Sequence, residues 1–452
     1  MNYTLDNANE YIEGNKDKVN KLYRLKYHMM PPVGWMNDPN GLIYKDGIYH
    51  LFYQFYPYDS KWGPMHWGHF ETKDFIKYQD KKVALAPDDN ENETGCFSGG
   101  AILDNNKINL VYTRHFEKDN YKSETVYLAT SDDEEKYKKV GKLFDNDNLP
   151  ENFSKSDFRD PAPYKINNKY YIFVGAKNEK TNQGMIVVLE SETLNNFKYS
   201  FSIGPLYELG DMGECPSYHK VDGYDVLVAS GCHVAELGNS FKNDNSSVFI
   251  IGKIDFENKS MKVYNIHECD KGDSFYAPQF IANEEKPIIV GWLEMWGKDI
   301  PTDKLNHNWA GALSIPRELK VENNWVYQKP ISLEKYFNNE DSGKVSRVSH
   351  IEVLAKGNFS MNFVSNNGSF KIYGNDYGIF LDTTDTNNLY SKIRRTDHGY
   401  KEVKLEILLD SSSVELFVND GEFVISSRIY LNSDYEIETK GILTINKHNI
   451  IC

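Results

Sequence analysis

A hairpin is encoded in residues 43–52, IYKDGIYHLF, as a strand, a tight Asp-Gly turn and a second strand. The same shape recurs in residues 102–111, 164–173, 218–227 and 280–289. Its turn residues are 60, 62, 54 and 62 positions apart, and they are Gly47, Lys107, Lys169, Gly223 and Glu285. A hairpin that recurs about every 60 residues, with strand-like sequence between the copies, indicates a radial β architecture. Five copies predict a five-bladed β-propeller; the alternative is a β-protein whose hairpins have this spacing by chance.

The register of these hairpins predicts a site. Nine positions before the turn residues stand three carboxylic acids, a serine and a tyrosine: Asp38, Ser98, Asp160, Glu214 and Tyr276. The innermost strands of a propeller run in one direction around a central channel. Equal offsets therefore predict equal height and the same side of each strand. We expect these five side chains to surround one mouth of the channel.

The three acids differ in their neighbours. Asp38 lies in WMNDPNG, residues 35–41, where an ordinary Asp-Pro turn and an acid held in one rotamer are both reasonable interpretations. Asp160 follows an arginine that would keep it ionised, in FRDP, whereas Glu214 has no adjacent cation, in ECP. One ionised and one protonated carboxyl group close together are what cleavage of a glycosidic bond requires.

Composition narrows the class of protein. The 452 residues predict two or three domains, and the aromatic content of 14% favours strands and suits a sugar-binding protein. The net charge of −15 argues against nucleic acid and against a membrane surface as partners. Five scattered cysteines without a C-x-x-C pair fit free thiols, and no signal-peptide or membrane-span pattern is visible. These features predict a cytoplasmic protein.

The chain divides into four predicted parts. Residues 1–26 form a helical extension, and residues 27–330 form the propeller, which carries the catalytic site. Residues 331–349 are polar and are predicted to be a linker. Residues 350–452 alternate short strands with turns and predict a β-sandwich. The expected fold class is therefore all-β, a five-bladed β-propeller followed by a C-terminal β-sandwich.

Several blocks of this sequence resemble glycoside hydrolase family 32, the β-fructofuranosidases. Beside WMNDPNG, FRDP and ECP, the similar blocks are WGPMHWGH at 62–69, FSG at 97–99, FYAPQ at 275–279, WAG at 309–311, PREL at 316–319 and DSSSVELF at 410–417. They stand in the family's order and cover nearly the whole chain. The resemblance implies the same two-domain fold. It also implies cleavage of a terminal β-D-fructofuranosyl bond by double displacement, with retention of configuration.

The resemblance also implies roles for individual residues. Asp38 would be the nucleophile, Glu214 the general acid/base and Asp160 a transition-state stabiliser that holds fructosyl hydroxyls. The expected substrate-binding residues are Trp35, Asn37, Gln54, Trp62, Phe97, Ser98, Arg159, Tyr276 and Trp296. Two positions depart from the family pattern. Ser274 stands where an Asp is frequent, and Gly213 stands where a Trp is frequent. Both are expected on the substrate-facing side, so the leaving-group preference stays open.

The lead-in YRLKYHMMPP, residues 23–32, resembles family members that cleave sucrose 6-phosphate. Sucrose 6-phosphate or sucrose is the expected substrate; a fructan exo-hydrolase and a non-catalytic fructan-binding protein are the alternatives. A phosphate on the leaving sugar needs cations at the pocket rim. Arg114 follows Lys107 by the seven positions that separate Gln54 from Gly47, so Arg114, with His115, is a predicted phosphate contact. The alternative is an Arg114 paired with a surface acid.

No metal or cofactor is expected. His66 and His69 could be mistaken for metal ligands, but no third ligand stands at a recognisable spacing, and no Gly-rich phosphate loop is present. The expected partner is a small sugar rather than nucleic acid or a membrane.

Overall fold

The structure is a computed structural model that describes residues 3–87, 93–338 and 344–452. Within these ranges the chain forms thirty strands and two α-helices, so its fold class is all-β. Helix α1 spans Leu5–Asn15 and α2 spans Pro301–Lys304. Short 3₁₀ turns cover Lys16–Lys18, Asn146–Asn148, Tyr207–Leu209 and Glu334–Tyr336. Neither α-helix is long and apolar enough to cross a membrane.

Helix α1 begins where Thr4 caps its first turn. The Thr4 hydroxyl accepts a hydrogen bond from the Asn7 backbone N–H at 3.2 Å, which satisfies one of the unpaired donors at the helix start. Ala8 and Ile12 form the buried face of the helix and join the apolar core of the first blade. The helix is therefore packed onto the propeller.

Five sheets make up the first domain; each has four antiparallel strands, and the first also includes a short parallel strand. Blade 1 is β1 (Gly34–Lys45), β2 (Ile48–Tyr56), β3 (His66–Thr72) and β4 (Tyr78–Asp80). Blade 2 is β5 (Gly95–Asp104), β6 (Lys107–Lys118), β7 (Tyr121–Thr130) and β8 (Lys138–Lys142). Blade 3 is β9 (Phe153–Ile166), β10 (Lys169–Asn178), β11 (Gln183–Ser191) and β12 (Lys198–Ile203). Blade 4 is β13 (Met212–Val221), β14 (Tyr224–Cys232), β15 (Ser246–Asp255) and β16 (Ser260–Glu268). Blade 5 is β17 (Tyr276–Phe280), β18 (Ile288–Trp292), β20 (Arg317–Glu322) and β21 (Trp325–Pro330).

The blades close into a ring around one channel. The innermost strands are β1, β5, β9, β13 and β17; each contacts the next, and β17 contacts β1. The short strand β19 (Trp309–Ala310) pairs in parallel with the start of β1, so a segment that follows β18 is joined to the first blade. The predicted five-bladed propeller is confirmed.

Each innermost strand has a break in its regular pairing near the same mouth of the channel. The breaks in register lie between Met36 and Pro39, Phe97 and Gly99, Arg159 and Ala162, Glu214 and Ser217, and Tyr276 and Gln279. The extra residues at a β-bulge leave the ladder and re-aim their side chains. Three of the bulges include left-handed backbone, at Asp160 (φ 64°), Cys215 (φ 46°) and Ala277 (φ 50°). The bulges place side chains from five blades at one mouth.

Two long strands organise the second domain, β23 (Ser349–Ser365) and β30 (Glu436–Ile450). The first half of β23 pairs with β27 and its second half with β24, while β30 follows both halves, so the two long strands pass from one sheet into the other. The other strands are β22 (Phe337–Asn338), β24 (Gly368–Asn375), β25 (Gly378–Asp385), β26 (Ile393–Arg395), β27 (Glu402–Asp410), β28 (Ser413–Val418) and β29 (Phe423–Arg428). Their apolar side chains, such as Ile351, Phe363 and Leu416, form one core. The predicted β-sandwich is confirmed. Part of the predicted linker, residues 339–343, lies outside the described residues.

A fully buried charge network joins the two domains to the lead-in segment. His28 lies between two acids of the sandwich, with Nδ1 2.8 Å from Asp410 Oδ2 and Nε2 2.9 Å from Glu415 Oε1. Glu415 also pairs with Arg317 of blade 5 at 2.7 Å. Burial lowers the pKa of His28, but the hydrogen bonds with Asp410 and Glu415 outweigh it and raise this pKa to about 9. His28 is therefore an imidazolium at neutral pH.

Candidate active site

The bulged ends of the innermost strands surround a pocket of about 550 Å³, which we call the carboxylate pocket because Asp38, Asp160 and Glu214 line it. Of the residues predicted from the sequence, those that line it are Asn37, Asp38, Gln54, Trp62, Phe97, Ser98, His115, Arg159, Asp160, Glu214 and Trp296. These lining residues belong to blades 1 to 4 and to the loop after β18.

Two predicted binding residues lie behind the pocket wall. The Trp35 ring stacks on Trp296 at 6.0 Å, and its Nε1 donates to Asn37 Oδ1 at 2.8 Å. Tyr276 is fully buried, and its hydroxyl donates to Glu214 Oε2 at 2.6 Å. Both residues hold lining side chains in place and do not line the pocket themselves.

Asp38 is held through one of its two oxygens. Oδ2 accepts a hydrogen bond from the Ser98 hydroxyl at 2.7 Å, and the Cys215 thiol lies 3.6 Å away. Oδ1 has no hydrogen-bond partner among the described residues. Burial and the charge of Glu214 raise the pKa of Asp38, the hydrogen bond from Ser98 lowers it, and the net result is a pKa of about 6. Asp38 is thus mainly ionised at neutral pH, with one uncommitted oxygen.

Asp160 occupies the left-handed bulge of β9. Its backbone N–H donates to the Thr113 hydroxyl at 2.7 Å, and its Oδ2 accepts from the Cys215 backbone N–H at 3.0 Å. Burial and the charge of Glu214 raise the pKa of Asp160 to about 8, while Arg159 acts in the opposite direction. At neutral pH Asp160 therefore carries a proton.

Glu214 is held by a guanidinium and a phenol. Arg159 donates to Oε1 from Nε at 2.9 Å and from a terminal nitrogen at 2.6 Å, while the Tyr276 hydroxyl binds Oε2. Burial raises the pKa of Glu214, but Arg159 and Tyr276 outweigh burial and leave the pKa below its usual value. Of the two carboxyl groups, Asp160 therefore holds the proton. The expectation that Arg159 keeps Asp160 ionised is wrong, because the Arg159 guanidinium binds Glu214 instead.

Family models match the chain on both domains. The model of the N-terminal domain of glycosyl hydrolases family 32 matches residues 28–330, and the model of the family's C-terminal domain matches residues 331–447. The chain belongs to glycosyl hydrolase family 32.

Individual relatives agree with this family assignment. The chain is 32% identical over 431 residues to a sucrose-6-phosphate hydrolase of Escherichia coli, covering 89% of this chain and 88% of the relative. It is 29% identical over 458 residues to a sucrose-6-phosphate hydrolase of Bacillus subtilis, covering 94% and 92%. A solved family 32 β-fructofuranosidase of Bombyx mori superposes with a TM-score of 0.85 at 28% identity over 98% of this chain and 97% of that one. The sucrose-6-phosphate hydrolase of Lactobacillus gasseri has the same fold, with a TM-score of 0.88 at 24% identity over 100% and 99%.

In this family 32 chain the predicted position of Arg114 is wrong. The inward-facing residue of β6 is Thr113, whose hydroxyl donates to Ser98 O at 3.0 Å and accepts from Asp160 N–H. Side chains alternate along a strand, so Arg114 faces away, 5.3 Å from the Tyr127 ring centroid. It lines a neighbouring polar depression of about 520 Å³. His115 turns back and lines the carboxylate pocket.

The two departures from the family pattern also lie away from the pocket. A Cβ on Gly213 would stand 2.6 Å from the Met185 carbonyl oxygen, so no larger residue fits under β11 without a shift of the backbone. The Ser274 hydroxyl donates to Asp273 Oδ1 at 2.8 Å and accepts from the Arg428 backbone N–H in the sandwich. Neither residue lines the pocket, so the expectation that they face the substrate is wrong.

Sequence reasoning missed a second acid beside Arg159. Glu124 of β7 is buried, accepts from Arg159 at 3.1 Å and from the Phe158 backbone N–H, and lies 3.1 Å from Lys122. Burial raises the pKa of Glu124, but Arg159, His115 and Lys122 outweigh burial and lower this pKa to about 2. Glu124 and His115 are cross-strand partners, so only the register of β6 and β7 could have found this acid.

One histidine group outside the pocket has the composition of a metal site. His50, His69 and Glu71 place one ligand atom each within 4.8 Å of one another, so His69 has two potential co-ligands, Glu71 of the same strand and His50 of β2. His66 is not among them; its Nδ1 lies 2.8 Å from the Pro64 carbonyl oxygen. The Glu71 carboxylate is paired with Lys81 at 3.3 Å. None of these residues lines the carboxylate pocket.

Proposed function

We propose that this chain hydrolyses the terminal β-D-fructofuranosyl bond of sucrose 6-phosphate, with sucrose as the second candidate. One observation carries the proposal: three carboxyl groups from three blades meet in one pocket, and each is held by a different set of groups. Similarity to a sucrose-6-phosphate hydrolase and to a raffinose invertase, both of Escherichia coli, supports the two substrates.

Asp38 is the nucleophile in this proposal. Its unpartnered Oδ1 attacks the anomeric carbon C2 of the fructosyl unit, and the bond from C2 to the glycosidic oxygen breaks. Ser98 keeps Oδ2 fixed, so the rotamer that presents Oδ1 is maintained. The fructosyl unit is then esterified to Asp38.

Glu214 moves the proton. It donates a proton to the leaving glycosidic oxygen in the first step, and in the second step it takes one from the water that attacks C2 and releases Asp38. Two inversions at C2 give net retention. Because Arg159 favours the ionised form of Glu214, the proton held on Asp160 in the sugar-free site must reach Glu214 when sugar fills the pocket.

Asp160 has a positioning role toward the sugar. Once it has given up its proton, its carboxylate accepts hydrogen bonds from fructosyl hydroxyls, and these bonds strengthen as positive charge develops on the ring. The left-handed backbone at Asp160 and its hydrogen bonds to Thr113 and Cys215 fix this acid before sugar binds.

The leaving sugar would lie toward an aromatic and basic rim. The Trp62 side chain is 51% exposed and meets the Phe97 ring edge-on, and Phe97 stacks on His115 at 3.9 Å. Lys122 lines both the carboxylate pocket and the neighbouring depression, which also contains Lys142 and Lys155. A phosphate on the leaving glucose would reach the ammonium group of Lys122, which pairs with Glu124 at 3.1 Å and Asp157 at 2.8 Å in the sugar-free site, in place of the predicted contact with Arg114.

The test compares kcat/KM for sucrose 6-phosphate and sucrose. We expect wild type to prefer the phosphorylated sugar, and Lys122→Ala to reduce that preference about ten- to a hundred-fold, the effect of one charge-assisted contact. Lys155→Ala is the matched control at the far side of the depression. If wild type prefers plain sucrose, the second candidate is the function. If neither sugar is cleaved, both candidates fail, and a non-catalytic fructan-binding protein is favoured.

A further inference from the structure

A second cavity, of about 350 Å³, lies where the propeller meets the sandwich. Its propeller wall is made by Asn239, Lys242 and Lys271, and its sandwich wall by Phe380 of β25 and by Lys392 with the strand β26. It shares no lining residue with the carboxylate pocket. It is therefore a site of its own, built by both domains.

Positive charge dominates this cavity. Five of its eight lining residues are basic, namely Lys242, Lys271, Lys392, Arg394 and Arg395, in a chain whose net charge is −15. Such a concentration of one sign, against the sign of the whole molecule, makes a local attractive field for anions.

Only two of the five cations have carboxylate partners. Lys242 pairs with Glu236 at 2.8 Å, and Lys271 pairs with Glu268 at 2.7 Å and with Asp397 at 2.9 Å. In the described part of the chain, the ion pairs within 4.0 Å include none made by the other three, Lys392, Arg394 and Arg395. Glu236, Glu268 and Asp273 act on Arg394 only from beyond ion-pair distance, so these three cations have no direct carboxylate contact among the described residues.

Arg394 is the most deeply buried of the five cations. It is only 6% exposed, and its terminal nitrogen donates to the Asn243 side chain and to the Lys242 carbonyl oxygen at 3.3 Å. Its Nε has no acceptor among the described residues. Burial lowers the pKa of Arg394, although a guanidinium stays charged in proteins. A buried charge with an unsatisfied donor and no direct carboxylate contact is destabilising, so an anion that accepts from Nε in the cavity would stabilise Arg394.

Arg395 is oriented by neutral groups. It donates to Asn239 Oδ1 at 2.6 Å and to the Tyr377 carbonyl oxygen, and its guanidinium lies 5.7 Å from the Phe380 ring centroid. These contacts come from both domains and fix the guanidinium without cancelling its charge. Hydrogen bonds thus fix the guanidinium groups of two adjacent arginines, Arg394 and Arg395, at the wall of one cavity.

We propose that this cavity between the domains binds a phosphate group, either as the free anion or on a small sugar. A phosphate carries close to two negative charges and several acceptor oxygens, which match the planar donor fork of a guanidinium. It would supply the missing acceptor for Arg394 Nε and contact both domains at once. Binding would therefore stabilise the association of the propeller with the sandwich.

The experiment uses the full chain and inorganic phosphate. We expect phosphate to raise the Tm of wild type above the value in sodium chloride at equal ionic strength, and calorimetric titration to give a Kd. Arg394→Gln and Lys392→Gln should each weaken that Kd about ten- to a hundred-fold. Lys401→Gln, an exposed charge change on the same domain, should leave it unchanged. Cleavage of sucrose should stay within about twofold in all three variants.

The active-site rim provides the second control. Lys122→Ala should retain the phosphate-dependent rise in Tm, because Lys122 does not line this cavity.

The proposal is overturned if phosphate raises the Tm no more than sodium chloride does. It is also overturned if the rise is lost in Lys122→Ala and kept in Arg394→Gln. Should Arg394→Gln fail to fold, Lys392→Gln decides, because Lys392 is exposed. Titration of glucose 6-phosphate into Lys122→Ala separates the sources: tighter binding than inorganic phosphate supports a sugar phosphate, and equal binding supports the free anion.

Discussion

Asp38, Asp160 and Glu214 share one pocket but differ in the groups that hold them. The hydroxyl of Ser98 leaves Asp38 with one unpartnered oxygen, whereas Arg159 and Tyr276 engage both oxygens of Glu214. In the proposed mechanism this asymmetry separates the nucleophile from the proton carrier. The sequence around these acids predicted their convergence, but the hydrogen-bond partners come from other blades and required the structure.

The first prediction concerns pH. In the proposed mechanism Asp38 must be ionised to attack, so kcat/KM should fall as pH decreases below about 6, where Asp38 becomes protonated. The acid proton resides in the Asp160–Glu214 pair, so kcat/KM should also fall as pH rises through about 8. A bell-shaped profile of kcat/KM between these two limits is the expected result.

A variant assigns the alkaline side of that profile. Asp160→Asn leaves Glu214 as the remaining proton site of the pair, and Arg159 lowers its pKa, so the alkaline limb should move to lower pH. Asp145→Asn, an exposed aspartate of the neighbouring depression, should not move it. An alkaline limb that stays near pH 8 in Asp160→Asn would contradict this placement of the proton.

The second prediction separates the two acids by leaving group. Glu214→Ala removes the proposed proton donor, so fructosides with good leaving groups, which need little protonation, should regain much of the lost kcat. Asp160→Asn should show no such recovery, because its lost contacts hold the fructosyl ring. The measurement is kcat for sucrose and for an aryl fructoside in both variants; equal recovery in the two would refute the assignment.

At the scale of the strand, one residue of register decides which side chain faces the site. Gly47 is the last residue of its turn, whereas Lys107 is the first residue of β6, so equal offsets from them are not equal positions. The counterpart of Gln54 is therefore Thr113 and not Arg114, since a shift of one residue turns a strand over. The β-bulges of the innermost strands contain extra residues that compensate for a one-residue difference in offset. The three acids therefore lie at the channel mouth although their offsets were counted from turn residues that are not equivalent.

The third prediction tests this strand geometry. Thr113→Val removes the hydroxyl that serves both Ser98 O and Asp160 N–H, and leaves two buried backbone groups without partners. Such a loss costs about 1–3 kcal/mol of folding free energy. It also frees the backbone of Asp160, so kcat/KM for sucrose should fall. Arg114→Ala, the adjacent outward-facing residue, should change it by less than about twofold. A larger loss in Arg114→Ala than in Thr113→Val would be evidence against the register.

For the whole molecule, the spacing of hairpins predicted the five blades, and the short strands and turns of residues 350–452 predicted the sandwich. The network around His28 was beyond sequence reasoning because its partners Asp410 and Glu415 lie on the other domain, far away in the chain. The cavity at Arg394 was missed for the same reason, since its walls come from both domains. Periodic local patterns can be found in a sequence, whereas a single contact between domains leaves no repeat.

The fourth prediction is a pH dependence of stability. His28 has a pKa of about 9 in the folded chain and about 6.5 when unfolded, so its contribution to stability is complete below pH 6.5 and is lost as pH rises through 9. Urea titrations should show the free energy of unfolding falling by about 3 kcal/mol over that interval. His28→Gln should remove this slope, and His398→Gln, at an exposed site, should keep it. An unchanged slope in His28→Gln would exclude His28 as the cause.

The central claim is that Asp38 attacks the fructosyl carbon and forms a covalent intermediate. The most direct measurement is the anomeric configuration of the methyl fructofuranoside formed when sucrose is cleaved in aqueous methanol, read by ¹³C NMR before further hydrolysis. Double displacement predicts the β-anomer, because two inversions at C2 restore the starting configuration. Formation of the α-anomer would mean that water or methanol attacks directly, and would contradict the nucleophilic role of Asp38.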